Sequence, residues 1–313
     1  MATASLPVFD AAATRALLPA AALVEAVIQA MRARRAGSLN APERLALPLP
    51  AEGSYLVMPA ADAELAITKL VTVHPHNSGC GLPTIQGLVL VTDAGNGQPL
   101  MLLDGPTLTA RRTAAVTALG LRVLSRQPLR SVALVGTGAQ ALEHARLLAE
   151  LGGLERVEVV GRDQARVAAF VDAVVLSCPG VRLRAAVSID EALSRVDAVV
   201  TLTTATRPVL PDGLRDELLV VGVGAFQPHM AELPPSLLRL RAVVVDALPG
   251  ARHEAGDLIQ AGIDWGSVTE LVDHLDVSGA PGPAPVFKTV GQAAWDLAAA
   301  HVAVNQARSG GCF

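Results

Sequence analysis

The chain has 313 residues, half of them apolar, with 25 basic and 29 acidic side chains and a formal net charge of −4. That length allows two domains with sizeable cores, and the small, interspersed charge offers no electrostatic footprint for nucleic acid or an anionic membrane. Apolar runs stop short of a membrane span, Asp10 sits where the core of a signal peptide would lie, and three scattered cysteines (Cys80, Cys178, Cys312) point to reduced thiols in a soluble, cytoplasmic protein.

From Leu6 to Gly37 the pattern is helical, with an Ala-rich amphipathic stretch that Gly37 ends. From Pro42 to Pro106 the texture changes to short apolar runs (RLALPLP, YLVMPA, LAITKLVTV, IQGLVLVTD, PLMLLDG) separated by Pro, Gly and Asn turns. DAGNGQP reads as a hairpin turn, and the region as a largely antiparallel sheet. Thr107 to Ser125 is a long helix. From Arg130 onward strands and helices alternate, and the strands SVALVG, RVEVVGR, VRLRAAV, DAVVTLTT, LLVVGVGA and AVVVDAL are nearly continuous Val and Leu. Such strands are buried on both faces, as in a parallel sheet covered by helices. Ser278 to Pro285 reads as a connecting loop, and VFKTVGQAAWDLAAAHVAVNQA as a last helix.

The expected fold class is therefore α/β: a Rossmann-type, doubly wound parallel sheet plus a separate α+β domain. Residues 1–115 form the α+β domain, to which the C-terminal segment 287–313 returns, and 116–286 form the dinucleotide-binding domain.

Gly136, Gly138 and Ala141 form GxGxxA between a strand and a helix. The first glycine permits a tight turn, the second lets the backbone approach a pyrophosphate, and Ala141 allows close helix–strand packing. The next strand ends in Gly161 and Arg162, where an NAD site usually carries an acidic residue; a guanidinium there suits a 2′-phosphate, so NADPH is favoured over NADH. A glycine turn that serves packing alone, or a surface arginine, is the plain alternative. Arg44, Lys69 and Arg112 lie in or beside apolar segments, where a cation is costly without an anionic partner. Together they fit a carboxylate cradle, although each could equally be a solvated or salt-bridged side chain. His74 and His76 flank a loop, His144 and His301 read as structural, and His229 follows the fifth strand, on the ligand side of such a sheet. No set of residues has metal-ligand spacing, and no GxSxG elbow is present.

Lys69 in ITKLV, NSGCGLPTIQG (Asn77 to Gly87), GQPLMLLDG, LTARRTAA, GTGAQA, EAGDL and VFKTVG together resemble the ornithine cyclodeaminase/mu-crystallin family over nearly the whole chain. The resemblance implies a homodimer-forming substrate domain plus a Rossmann domain. It implies that Arg44, Lys69 and Arg112 hold a substrate carboxylate, with Lys69 and Arg112 at the reacting centre. Thr84, Arg112, Thr113, Ala139, Gln140, Arg162 and Thr203 would line the cofactor beside Gly136 and Gly138, Val223 and Thr289 would stand near its nicotinamide end, and Val290 beside the substrate. Cyclodeaminases of the family carry an acid/base aspartate just after the fifth strand; here that place falls to Phe226, which can neither give nor take a proton. GAFxPxMAELP resembles instead the branch that reduces cyclic ketimines such as Δ1-pyrroline-2-carboxylate and its six-membered homologue. Phe226 would then wall an apolar ring, and Lys69 or a water would protonate the nitrogen. An ornithine cyclodeaminase using catalytic NAD, and a non-catalytic protein binding NADPH and a small ligand, are the rival readings.

Overall fold

The computed structural model describes residues 6–178, 180–277 and 282–311. The chain divides into two compact units, Met1–Thr113 with Gln292–Phe313, and Ala114–Gly291.

In the first unit a short strand, β1 (Val8–Phe9), precedes α1 (Ala11–Ala16) and α2 (Ala20–Arg35). The helical region forms two helices: Asp10 caps α1 by accepting from the Ala13 amide at 2.8 Å, and Pro19 bounds the Ala-rich segment that forms α2. β2 (Leu45–Leu49), β3 (Gly53–Ala61), β4 (Leu65–Val73), β5 (Ile85–Asp93) and β6 (Pro99–Asp104) follow. They form a six-stranded sheet in the order β1-β6-β5-β4-β3-β2, antiparallel except where β1 joins β6. Alternation decides its two faces. Met58, Ile67, Lys69, Val71, Val89 and Leu103 point to the buried one. The register puts Val8, Leu102, Leu90, Leu88, Leu70, Val57, Leu45 and Leu47 on the other. That face is open: Val8 is 72% exposed, Leu45 56%, Leu47 46% and Leu88 37%. The long helix α3 (Gly105–Leu124) starts in this unit, where Asp104 accepts from the Thr107 amide, and continues into the second.

The second unit contains β7 (Ser131–Val135), α4 (Ala139–Leu151), β8 (Arg156–Val160), α5 (Gln164–Val175), β9 (Arg182–Ala185), α6 (Ile189–Leu193), β10 (Ala198–Thr201) and β11 (Leu219–Gly222). α7 (Pro235–Leu240), β12 (Val243–Val245), α8 (Leu248–Glu254), α9 (Gly256–Ala261), β13 (Thr269–Glu270) and β14 (Val286–Lys288) complete it. The strands make an all-parallel sheet of order β13-β12-β14-β11-β10-β7-β8-β9. β7, β10 and β11 are buried throughout, as their Val/Leu runs require. Strand order reverses between β7 and β10, so a crevice opens at the carboxyl ends of these two strands, the ligand position of doubly wound sheets.

One expectation fails at the C-terminus. Val286–Lys288 is not the start of a helix but a strand wedged between β11 and β12, and residues up to Gly291 stay in the second unit. A short apolar run fits a buried strand and a buried helix alike, and two flanking strands decide the matter. Only α10 (Ala293–Ser309) returns, packing on α2, β3 and β4 of the first unit. Of the segment Ser278–Pro285, 278–281 lie outside the described residues, as does Cys312.

Candidate active site

In the second unit, a cavity of about 1010 Å³ opens at the carboxyl ends of β7, β8 and β10. Gly136 and Gly138 line its floor. At Gly136 the backbone has φ +126°, and a Cβ would meet the Leu202 carbonyl oxygen at 2.7 Å, so no other residue fits. A Cβ on Gly138 would meet nothing within 4 Å. That open space, at the N-terminus of α4, leaves backbone amides accessible to an anion. Arg162 lines the wall, joined by two arginines that the sequence did not single out, Arg166 and Arg207. Their guanidinium groups have no partner among the described residues. Asp163, which lines the same cavity, caps α5 through Oδ1, accepting from the Ala165 and Arg166 amides at 3.0 and 3.1 Å. Three unpaired cations beside a glycine turn fit a phosphate-bearing dinucleotide. Thr203 lines the same cavity, whereas Ala139, Gln140, Val223 and Thr289 do not. Val223 and Thr289 are buried at the ends of β11 and β14, and the Thr289 hydroxyl donates to Asp246 at 2.7 Å. Val290 is half-buried, with its amide also aimed at Asp246. Phe226 is half-buried in the loop after β11.

In the first unit Lys69, on the covered face of the sheet, and Arg112, on α3, converge on one carboxylate. Asp296, in the first turn of α10, is 2.6 Å from Lys69 Nζ and accepts from Arg112 Nε at 3.0 Å. All three are buried. Lys69 also reaches the Thr109 hydroxyl at 3.4 Å, and Thr113, next to Arg112, bonds back to the Thr109 carbonyl. Burial pushes the Lys69 ammonium down to about 8; Asp296 opposes that shift, while Arg112 and Arg44 add to it. Asp296 is held well below the usual carboxylate range by Lys69 and Arg112 against its own burial. Two cations thus face one anion in this cluster. Thr84, just before β5, is half-buried, and its carbonyl accepts from the His74 amide.

Asp296 was missed in the sequence. WDLAAAH reads as an ordinary helix face, and only the return of α10 across nearly two hundred residues brings its carboxylate to Lys69. His144 is structural: it is fully buried, hydrogen-bonded to the Gln140 carbonyl at 2.7 Å and the Thr117 hydroxyl at 3.0 Å. His301 pairs with Asp62 at 2.7 Å.

The sequence profile of the ornithine cyclodeaminase/mu-crystallin family matches residues 8–311. The chain belongs to the ornithine cyclodeaminase/mu-crystallin family. Within that family, it is 47% identical to Δ1-pyrroline-2-carboxylate reductase 1 of Burkholderia multivorans, over 95% of this chain and 94% of that one. It is 46% identical to a Δ1-pyrroline-2-carboxylate/Δ1-piperideine-2-carboxylate reductase of Azospirillum brasilense, over 95% of each. Among solved structures, the Δ1-pyrroline-2-carboxylate reductase of Thermococcus litoralis, in complex with NADH and L-proline, superposes with a TM-score of 0.89 at 25% identity, over 98% of both chains.

Where cyclodeaminases of the ornithine cyclodeaminase/mu-crystallin family would need an acid/base group, the loop Val223–Met230 offers no carboxylate. The nearest acid in sequence, Glu232, is wholly buried and accepts five hydrogen bonds from Thr201, Thr203, Gly224 and Ala225. It has no lone pair left for a substrate amine.

Proposed function

We propose that the protein reduces cyclic imino acids, Δ1-pyrroline-2-carboxylate and Δ1-piperideine-2-carboxylate, to L-proline and L-pipecolate at the expense of a nicotinamide dinucleotide. The observation that carries this reading is the combination of a buried, net-positive cradle with a loop that holds Phe226 in place of an acid. Cyclodeamination needs an acid/base group that also takes a proton from the substrate amine; imine reduction needs only a proton delivered to the nitrogen.

Lys69 and Arg112 bind the carboxylate, and Arg44 adds to the local positive charge. Asp296 fixes the orientation of both neighbours and so limits the conformations the substrate can take. Lys69, largely protonated at neutral pH, is the proton source for the imine nitrogen. Phe226, in the second unit, puts an apolar side chain where an acid/base group would otherwise stand. A bound reduced nicotinamide supplies the hydride to the carbon beside the carboxylate, and the product is the cyclic secondary amino acid.

NADPH is the favoured dinucleotide. Support comes from Arg162, Arg166 and Arg207, which line one cavity with no ion-pair partner among the described residues and outnumber the single acid of that lining, Asp163, whose Oδ1 caps α5. A charge-assisted contact to a 2′-phosphate contributes roughly 1.5–3 kcal/mol, on the order of ten- to a hundredfold in affinity. Titration of NADPH and NADH by nicotinamide fluorescence checks this; equal affinities, or an unchanged preference in Arg162→Ala, would refute it.

The open apolar face of the six-stranded sheet supports a homodimer, because a contiguous leucine surface of this kind is an association site or an aggregation hazard. Light scattering at micromolar concentration should report two chains, and Leu88→Lys should shift the protein toward the monomer. The cysteine pattern, and the lack among the described residues of any helix long and apolar enough to cross a membrane, support a cytoplasmic location.

The deciding experiment is an assay of NADPH oxidation with both imino acids, beside an assay of ammonia release from L-ornithine. Turnover of the imines with none of ornithine is expected. Ornithine-dependent ammonia would show that the acid/base group lies elsewhere than position 226.

A further inference from the structure

Behind the cavity wall of the second unit lies a buried charged cluster that the reaction above does not use. Glu232 Oε1 accepts from the Thr203 amide at 2.6 Å and the Thr203 hydroxyl at 2.8 Å. Its Oε2 accepts from the Thr201 hydroxyl at 2.9 Å, the Gly224 amide at 2.6 Å and the Ala225 amide at 3.2 Å. One carboxylate therefore ties the loop after β10 to the loop after β11. Approach is close enough that a Cβ on Gly224 would fall 2.1 Å from the Thr203 carbonyl oxygen and 2.6 Å from Glu232 itself. The Glu232 backbone is held in turn: Asp257 Oδ1 accepts from the amides of Glu232 and Leu233 at 2.5 and 2.9 Å. Lys288 Nζ stands 3.3 Å from Asp257 Oδ2, both side chains being fully buried. Residues 231–232 also pair with the stretch 205–210 through main-chain bonds, so the backing plate is continuous.

A dinucleotide at the switch point of such a sheet lays its adenosine half over the β7–β9 side and its nicotinamide half over the ends of β10 and β11. Arg162 and Arg166 lie on the first side; the two loops that Glu232 joins, the one after β10 also carrying Arg207, form the second. We propose that Glu232 is a positioning residue that sets the nicotinamide half of the cofactor by locking the loops of Thr203 and Phe226 in one register. This rests on the dinucleotide-dependent reduction proposed above. The neutral isostere cannot substitute. Every partner of Glu232 donates, and each oxygen meets at least one backbone N–H. Glutamine must turn its NH2 toward one of those amides, in either orientation, and so push one loop away.

The test compares whole-cofactor and half-cofactor binding in the full-length protein. Glu232→Gln should bind 2′,5′-ADP as the parent does but bind NADPH on the order of tenfold or more weakly. Its kcat should fall while its KM for the imino acid stays within a few fold of the parent value. Thr201→Val removes one of the five hydrogen bonds at a fully buried residue outside the cavity. It should show the same pattern at a few fold, which keeps the test open if the glutamine variant does not fold. Parallel loss of 2′,5′-ADP and NADPH binding would reduce Glu232 to a general structural role and overturn the assignment, as would parental NADPH affinity and kcat in both variants. Absence of NADPH and NADH binding by the parent protein would instead overturn the reductase reading, so the two failures are distinguishable.

Discussion

The two units each bury a cluster of charges, and the clusters differ in how their charge is answered. In the first, Lys69 and Arg112 share the single carboxylate of Asp296. In the second, Glu232 and Asp257 face Lys288, and Glu232 also collects three backbone amides and two threonine hydroxyls while Asp257 accepts two amides on Oδ1. Desolvating an ion costs several kcal/mol that only close partners offset. A buried cluster with charge left over is therefore stable only if something from outside completes it, and one whose charge is fully answered can hold a backbone in place. In the reading proposed above, the first arrangement serves as a binding site and the second as a scaffold.

If that contrast is right, removing a member should hurt stability in one unit and turnover in the other. The largest effect is expected for Lys288→Met. It leaves Asp257 Oδ2 buried without its cation, a change that costs about 3–5 kcal/mol and should appear as a marked drop in the unfolding midpoint by calorimetry or denaturant titration. Arg112→Ala is next, and its damage falls elsewhere. Asp296 keeps Lys69 at 2.6 Å, so the fold loses comparatively little, whereas a desolvated contact to the substrate carboxylate is worth about 2–5 kcal/mol. Catalytic efficiency should drop roughly thirty- to several-thousandfold. Equal thermal destabilisation by the two substitutions, or an Arg112→Ala enzyme of near-parental efficiency, would break the contrast.

How much of this the sequence discloses follows the range of the interactions. The parallel sheet is legible because β7, β10 and β11 are buried on both faces and so consist mainly of Val, Leu and Ala. The glycine turn is legible because its chemistry is local: GTG sits between a strand and a helix, and Gly136 has a backbone that only glycine adopts readily. Arg162 could be found for the same reason, two residues past the end of β8. Arg207 could not, since its approach to the cavity depends on β10 lying beside β7. Asp296 and Glu232 were hidden more thoroughly. Asp296 is separated from Arg112 by the whole second unit, and the partners of Glu232 are mostly main-chain amides, which leave no signature in residue identity. VFK went astray because three residues carry no period, and only the neighbours β11 and β12 make them a strand.

The smallest expected effect sharpens the contrast through pH. If the cradle binds an anion as proposed, the ammonium form of Lys69 is the active one, and burial with Arg112 and Arg44 lowers its pKa to about 8 against the support of Asp296. Below that value the charge and the proton are both present; above it both are lost. The kcat/KM of the parent should be nearly flat through neutrality, be about fourfold lower half a pH unit above 8, and then fall tenfold per further unit. Unfolding through this group cannot imitate the decline. Lysine in the unfolded chain titrates near 10.4, so between the folded and unfolded values the unfolded state binds more protons. The Lys69 contribution to stability therefore grows with rising pH over the range in which activity is lost. Lys69→Arg separates charge from titration: a guanidinium stays protonated across the range, so the variant should lose the alkaline limb even if its plateau is lower. A limb that persists unchanged in Lys69→Arg would mean that another group titrates, and that the excess charge of the cradle is not what the reaction depends on.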